Sequence, residues 1–218
     1  MVRTAFTVLL MGSFLGIAAC GDDNADEGGT TAAPDVETTA TTAAESDEAP
    51  SAKVNLERFL MQTGEEPGFE PIEEPRTDHG VQSLAGGFPA DDVERLRRTG
   101  FISITFQPLS GDDGNAGVTT VLLFKTAAGA RDWLEYETSD EGIDSMVPGA
   151  KPKRFTVPGV PGARGWTGRD RHDNPIGHVF WVQGRCEMLL GNEGEGDFVK
   201  PLSIGAKTIY ERTKGACP

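Results

Sequence analysis

Few side chains in this chain of 218 residues have the types and spacing that catalysis or metal binding requires. The sequence contains no G-x-S-x-G, S-x-x-K, H-E-x-x-H or P-loop pattern, each of which would place a nucleophile, a base, metal ligands or a phosphate-binding loop. Two carboxylates are enough for a glycosidase, and the acidic residues neither support nor exclude one. We therefore expect a protein that is not an enzyme and has no cofactor, with a hydrolase as an alternative.

Metal binding is not expected either, although one acidic segment has suitable ligands. Asp112-Asp113-Gly114-Asn115 carries the oxygen atoms that calcium prefers, but the same residue types are those of a tight turn. We predict a turn there. A second turn is expected from His172 onward, and His79 lies in a proline-rich loop without partner ligands. The sequence therefore predicts no metal site.

One set of residues favours ligand binding. These residues combine aromatic rings with cationic groups on strands predicted to be neighbours: Trp166, Arg169, Arg171, His178 and Trp181. On a sheet face not covered by helices they could bind a small molecule, a glycan or a peptide. In the alternative interpretation, both tryptophans belong to the core and both arginines lie on an exposed strand.

The N-terminus has the features of an export signal. Arg3 precedes an uncharged, largely apolar run over residues 4–19, as in the first two regions of a signal peptide. The run is shorter than the roughly 20 residues that a membrane-spanning helix needs. Ile17-Ala18-Ala19-Cys20 resembles the lipobox of bacterial lipoproteins. This resemblance implies a diacylglycerol on Cys20 and cleavage after Ala19, so that residues 1–19 are a signal peptide. The alternative is an ordinary secretory signal whose Cys20 pairs with another thiol.

Acylation of Cys20 leaves two cysteines, Cys186 and Cys217. An exported chain enters an oxidising compartment, where an even number of cysteines favours a disulfide. We therefore predict a Cys186–Cys217 bond. Two separate thiols are the alternative, and a metal pair would lack further ligands at suitable spacing.

Composition divides the rest of the chain into a linker and one domain. Residues 20–52, rich in threonine and alanine, carry nine acidic residues and no basic one; so polar a segment cannot offset its ordering entropy and is expected to be disordered. Residues 53–218 carry a net charge of −6 within a total of −14. This acidic domain argues against nucleic-acid binding, which depends on clustered Lys and Arg.

Periodicity predicts an α+β domain. Residues 101–107 alternate as a half-buried strand, residues 118–125 continue as a strand, and Thr126 caps a helix to about residue 137. A shorter helix before them would be capped by Asp91 or Asp92 and end at Gly100. Later, strands are predicted at 154–157, 165–171, 176–183 and 185–190, followed by a helix over 197–213. We predict a mostly antiparallel sheet of five to seven strands with two longer helices on one face.

The order strand, strand, helix occurs in both halves of this domain, as an internal duplication would produce, although no aligned identity accompanies it. Three short segments also resemble uncharacterised lipoproteins of actinobacteria: residues 65–69, 124–130 and 157–163. The resemblance implies no activity.

The sequence thus predicts a lipid-anchored protein on the extracytoplasmic face of the cell membrane. Its membrane contact is the lipid at Cys20, and its domain binds or senses a small molecule, a glycan or a protein of the cell envelope. One alternative is an accessory subunit that docks on a membrane or cell-wall complex, and another is a hydrolase acting on the envelope. A concave pocket with converging polar groups would favour ligand binding, whereas a flat apolar patch would favour a protein partner.

Overall fold

The structure is a computed structural model that describes residues 54–218. The predicted signal peptide, the predicted lipid-attachment residue Cys20 and the whole of the predicted linker lie outside the described residues. The described chain forms one antiparallel sheet with four α-helices, which confirms the predicted α+β class.

The sheet of the described chain has eight strands, one more than the upper end of the predicted range. In chain order its strands are β1 (Phe69–Pro71), β2 (Arg76–His79), β3 (Phe101–Gly111), β4 (Ala116–Phe124), β5 (Lys153–Phe155), β6 (Arg164–Arg169), β7 (Pro175–Gln183) and β8 (Cys186–Glu193). Strands β1 and β2 pair with different parts of β3 and share one edge, and the remaining order is β3, β4, β8, β7, β6, β5. The proline-rich segment that the sequence predicts as a loop therefore contributes two short edge strands. Proline lacks a backbone N–H, and an edge strand tolerates this because one of its sides has no neighbouring strand.

Local signals explain most of these strands. Strands β3 and β4 pair from Phe101 to Ser110, and their connection has turn geometry with Asp113 at a φ of 56°, a left-handed conformation that aspartate tolerates. The predicted turn is thus confirmed. Strands β7 and β8 are joined at Gly184, also at positive φ.

The helices are α1 (Ala90–Arg98), α2 (Ala127–Glu137), α3 (Asp140–Met146) and α4 (Val199–Thr213). Thr126 caps α2 as predicted, because its Oγ1 accepts a hydrogen bond from the Gly129 N–H at 3.0 Å. Helix α1 begins earlier than predicted, with Pro89 at the cap position. Asp92 therefore lies inside its first turn, where it accepts hydrogen bonds from Tyr136 and Ser145 and caps no helix.

The two longer helices pack on opposite faces of the sheet, not on the single face that the sequence predicts. Successive side chains of a strand point to opposite faces. Trp181 of β7 packs in one cluster with Leu202 of α4, whereas the preceding residue, Phe180, packs in another with Leu134 of α2. Both faces of the central strands are apolar for this reason, a pattern that a sheet covered on one side would not need.

The positions of α2 and α4 on opposite faces test whether the two strand–strand–helix halves are related by symmetry. Strands β4 and β8 are neighbours and antiparallel, so a two-fold axis normal to the sheet would exchange β3 and β4 with β7 and β8. Such an axis would leave both helices on one face. Because α2 and α4 lie on opposite faces, the halves share the order of their elements but not this symmetry.

Cys186 and Cys217 form the predicted disulfide, with their Cα atoms 6.0 Å apart. The backbone N–H of Arg185 donates to the carbonyl oxygen of Pro218 at 2.9 Å, and Gln183 donates to Thr213 near the end of α4 at 3.0 Å. The tail after α4 is therefore fixed on the turn between β7 and β8.

Candidate ligand-binding cleft

The structure does not bring the predicted aromatic and cationic residues together. Trp166 and His178 lie on the α2 face with ring centroids 4.7 Å apart, whereas Trp181 lies on the α4 face. Both tryptophans are about 1% exposed. Arg169 and Arg171 are exposed near the turn between β6 and β7, and Arg169 forms an ion pair with Asp173. This arrangement matches the alternative interpretation, in which the tryptophans are core residues.

His178 is a neutral, half-buried residue near physiological pH. Burial lowers its pKa to about 4, since the interior disfavours the charged imidazolium. Its ring covers Gly191, where a Cβ atom would lie 2.5 Å from Cδ2 of the imidazole. The packing therefore depends on glycine at 191, and His178 supplies no positive charge to a ligand.

A cleft of about 370 Å³ lies where β5 and β6 meet the junction of α2 and α3. Its lining combines two arginines and two threonines with apolar and small residues: Thr138, Arg154, Phe155, Thr156, Ala163, Arg164, Gly165 and Trp166. This volume is at the lower end of the range of small-molecule sites. Of the predicted set, only Trp166 belongs to it.

Strand register places the polar groups of the cleft. Arg154 is paired with Trp166 across β5 and β6, and Arg164 stands two residues before Trp166 in β6. Positions two apart share a face, so all three side chains project from the face that α2 covers. Thr138 directly follows α2, and Ser139 caps α3 by accepting a hydrogen bond from the Gly142 N–H.

Both arginines are held by the junction of α2 and α3. Arg154 Nη2 donates to the Thr138 carbonyl oxygen at 3.3 Å and to Asp140 Oδ1 at 2.6 Å. Arg164 Nη1 donates to Thr138 Oγ1 at 3.0 Å. Within residues 54–218, no carboxylate forms an ion pair with Arg164. The cleft thus has two oriented guanidinium groups, only one of which has an acidic partner.

A second depression, of about 550 Å³, lies beside the turn between β6 and β7. Its lining contains as many cationic side chains (Lys151, Lys153 and Arg169) as acidic ones (Asp170, Asp173 and Asp197). Arg169 is already paired with Asp173, and Asp170 accepts hydrogen bonds from its own turn. This balance of charges favours no class of ligand. The cleft that contains Arg154 and Arg164, from here on the arginine cleft, is therefore the stronger candidate.

A pair of glutamates is buried next to the cleft. Glu137, the last residue of α2, precedes Thr138, and Glu187 lies on β8 beneath it. Both carboxyl groups are buried, and each affects the pKa of the other. Burial raises the pKa of both groups, and for Glu187 the charge of Glu137 raises it further. No described lysine or arginine pairs with either group. One proton is therefore shared in the pair at neutral pH, because two contacting carboxylates cannot both ionise at low cost.

Glu66 is a third buried carboxyl group, on the opposite face. Asn192 Nδ2 donates to its Oε1 at 2.6 Å. Burial raises the pKa of Glu66 to about 7, although the bond from Asn192 acts in the other direction. Glu66 lies beneath α4, where Gly205 permits its close approach. It supports the packing of the N-terminal segment and is remote from the cleft.

Sequence reasoning missed most of the cleft. The spacing of Arg164 and Trp166 by two residues was a usable signal, because it places both on one face of a strand. Thr138, Arg154 and Arg164 are far apart in sequence, and no local pattern brings them together. Within the described range, no group of three His, Cys, Asp or Glu side chains is arranged to hold a metal ion.

The chain was compared with protein families, curated proteins and solved structures. No protein-family model matches the chain, and no curated protein matches it. Its fold is similar to that of the extracellular domain of PknH from Mycobacterium tuberculosis, with a TM-score of 0.47 and 16% sequence identity over 72% of this chain and 94% of that one. Similarity of this degree does not assign a function. Among residues 54–218, no helix has the length and apolar character to cross a membrane.

Proposed function

We propose that this chain is a non-catalytic lipoprotein, anchored to the cell membrane through Cys20, whose domain binds an extracytoplasmic ligand in the arginine cleft. The observation that carries the proposal is the concave cleft in which Arg154 and Arg164 are oriented by the same residue, Thr138. The disulfide supports export, because such bonds persist in oxidising compartments.

The surface favours a ligand over a docking partner. Among the described residues, only two large apolar side chains are classed as exposed, Ile72 at 55% and Ile204 at 38%. Ile72 follows β1 and Ile204 lies on α4, so they belong to different elements. A flat apolar patch of several hundred Å², the mark of a protein interface, would need more such side chains. An accessory subunit of a membrane complex therefore remains the second candidate.

The anchor is tested by Cys20→Ser. We expect the variant to leave the membrane fraction or to accumulate uncleaved, because the thiol that receives the lipid is absent. Membrane fractionation and metabolic labelling with a radioactive fatty acid measure this, with Ser51→Ala as a control that keeps the Cys20 thiol and the disulfide. Lipid labelling of Cys20→Ser equal to that of the wild type would disprove the anchor.

The binding function is tested by the compounds that co-purify with the chain. The mature chain is extracted from its own membranes, and the bound small molecules are identified by mass spectrometry. We expect one compound to be retained by the wild type and reduced at least tenfold in the double variant Arg154→Gln/Arg164→Gln, since hydrogen bonds to charged groups contribute about 1.5–3 kcal/mol.

The matched control is Arg171→Gln, which removes an exposed arginine outside the cleft. This variant should retain the compound at the wild-type level. Equal retention by all three proteins, or no retained compound in the wild type, would argue against a ligand-binding function for the cleft.

A further inference from the structure

We infer that the ligand of the arginine cleft carries a single carboxylate joined to an apolar body, and that Arg164 binds the carboxylate. This inference rests on the proposed binding function and specifies its ligand class. It depends on three features of the cleft: the donors that remain on Arg164, the charge of the site and the apolar floor.

Arg164 is positioned but not saturated. Its Nη1 donates to Thr138 Oγ1 at 3.0 Å, which fixes the direction of the guanidinium plane. That bond uses one of the five N–H groups of an arginine. No other hydrogen bond of this side chain is formed with a described residue. A planar fork of donors fits the two oxygens of a carboxylate.

The charge of the site selects a monoanion. The Arg154 guanidinium is paired with Asp140 at 2.6 Å. Arg164 therefore contributes the one cationic charge of the lining that has no acidic partner among residues 54–218. The domain as a whole is acidic, with 25 acidic and 19 basic residues from position 53 onward. The negative electrostatic potential of the domain disfavours each additional negative charge on a ligand. A carboxylate therefore fits better than a phosphate, which carries nearly two charges at pH 7.

The rest of the lining fits an apolar body. Trp166 projects from the same face as the two arginines. Phe155 and Ala163 also line the cleft, but they pack in the cluster on the α4 face of the strands. The indole N–H of Trp166 has no acceptor among the described residues, although buried indole N–H groups usually have one. A volume of about 370 Å³ admits a body the size of a phenyl or branched alkyl group beside the carboxylate.

The test uses three probes with the same apolar body, a 2-phenylethyl group, and different head groups: 3-phenylpropionate, its neutral amide and 2-phenylethyl phosphate. Each is titrated at pH 7.5 into the chain from residue 20 onward, carrying Cys20→Ser, while the tryptophan indole and arginine side-chain signals are followed by nitrogen-15 NMR. We expect saturable shifts of Trp166 and Arg164 with 3-phenylpropionate. The carboxylate should bind at least tenfold more tightly than the other two probes, and Arg164→Gln should remove this preference while Arg171→Gln keeps it.

The outcomes separate this inference from the proposed function. If the amide or 2-phenylethyl phosphate binds the cleft as tightly as the carboxylate, the ligand-binding function stands and the carboxylate assignment is wrong. If Arg164→Gln binds the carboxylate normally, Arg164 is not its receptor and the inference also fails. If no probe shifts the cleft signals, the carboxylate assignment is overturned, and the co-purification experiment decides the function independently.

Discussion

Removing the disulfide should lower the free energy of unfolding by about 4 kcal/mol. The bond joins residues separated by 31 positions, and closing a loop of that length restricts the unfolded chain by about 3.7 kcal/mol in the chain-entropy model. Cys186→Ala/Cys217→Ala is the appropriate variant, because both cysteines are buried and alanine introduces no unpaired polar group. Urea denaturation followed by tryptophan fluorescence measures the difference, since Trp133, Trp166 and Trp181 are all buried in the folded domain.

Two controls show whether the loss arises from the cross-link. The single variant Cys217→Ala and the reduced wild type should lose as much stability as the double variant. Hydrogen exchange should increase first at the tail after α4, which the bond fixes on the turn at Gly184, while the exchange of α2 stays slow until global unfolding. A double variant as stable as the oxidised wild type, or two free thiols in the native protein, would contradict this assignment.

Glu187→Gln should stabilise the domain at pH 8 by about 1–3 kcal/mol, the usual cost of a buried polar group in an unfavourable environment, because burial and the charge of Glu137 raise the pKa of Glu187 well above its ordinary value. Glu187 is fully buried against Glu137 and must hold a proton in the folded state. Unfolding at pH 8 releases that proton, which favours the unfolded chain. A glutamine amide has the shape of the protonated carboxyl group and can donate to Glu137 in its place.

The direction of the pKa shift of Glu187 determines the pH range over which Glu187→Gln stabilises the domain. The pKa of Glu187 is raised in the folded state, so above the unfolded value of about 4.5 the folded chain binds more protons than the unfolded chain, and stability falls as the pH rises. Glu66, with a pKa of about 7, acts in the same direction. His178, with a pKa of about 4, acts in the opposite direction between about pH 4 and 6.5. The comparison of variant with wild type cancels these other groups.

We therefore expect the gain in Glu187→Gln to be largest at pH 8 and to approach zero near pH 4.5. Chemical denaturation at several pH values measures it. Glu135→Gln is the matched control, because Glu135 lies on α2 close to Glu137 but is exposed. That variant should change stability little at any pH. A gain in Glu187→Gln that is independent of pH, or a loss at pH 8, would show that the buried pair does not share a proton.

The sequence by itself determined much of the local secondary structure and the disulfide of this domain. Alternation predicted β3, the Thr126 cap predicted the start of α2, and an even cysteine count predicted the bond between Cys186 and Cys217. The strand and the helix start depend on residues that are close in sequence, and the disulfide follows from the number of cysteines. All three can therefore be predicted from the amino-acid sequence.

Only the tertiary structure decided which side chains meet. The apolar residues on both faces of β7 and β8 required cover on both sides, yet neither helix carries a signal for the face it takes. The cleft joins Arg154, Arg164 and Thr138, and the buried pair joins Glu137 to Glu187 across 50 positions. These contacts between distant residues follow from strand register and helix placement. Both are set by the free energy of packing the whole core and not by any local sequence pattern.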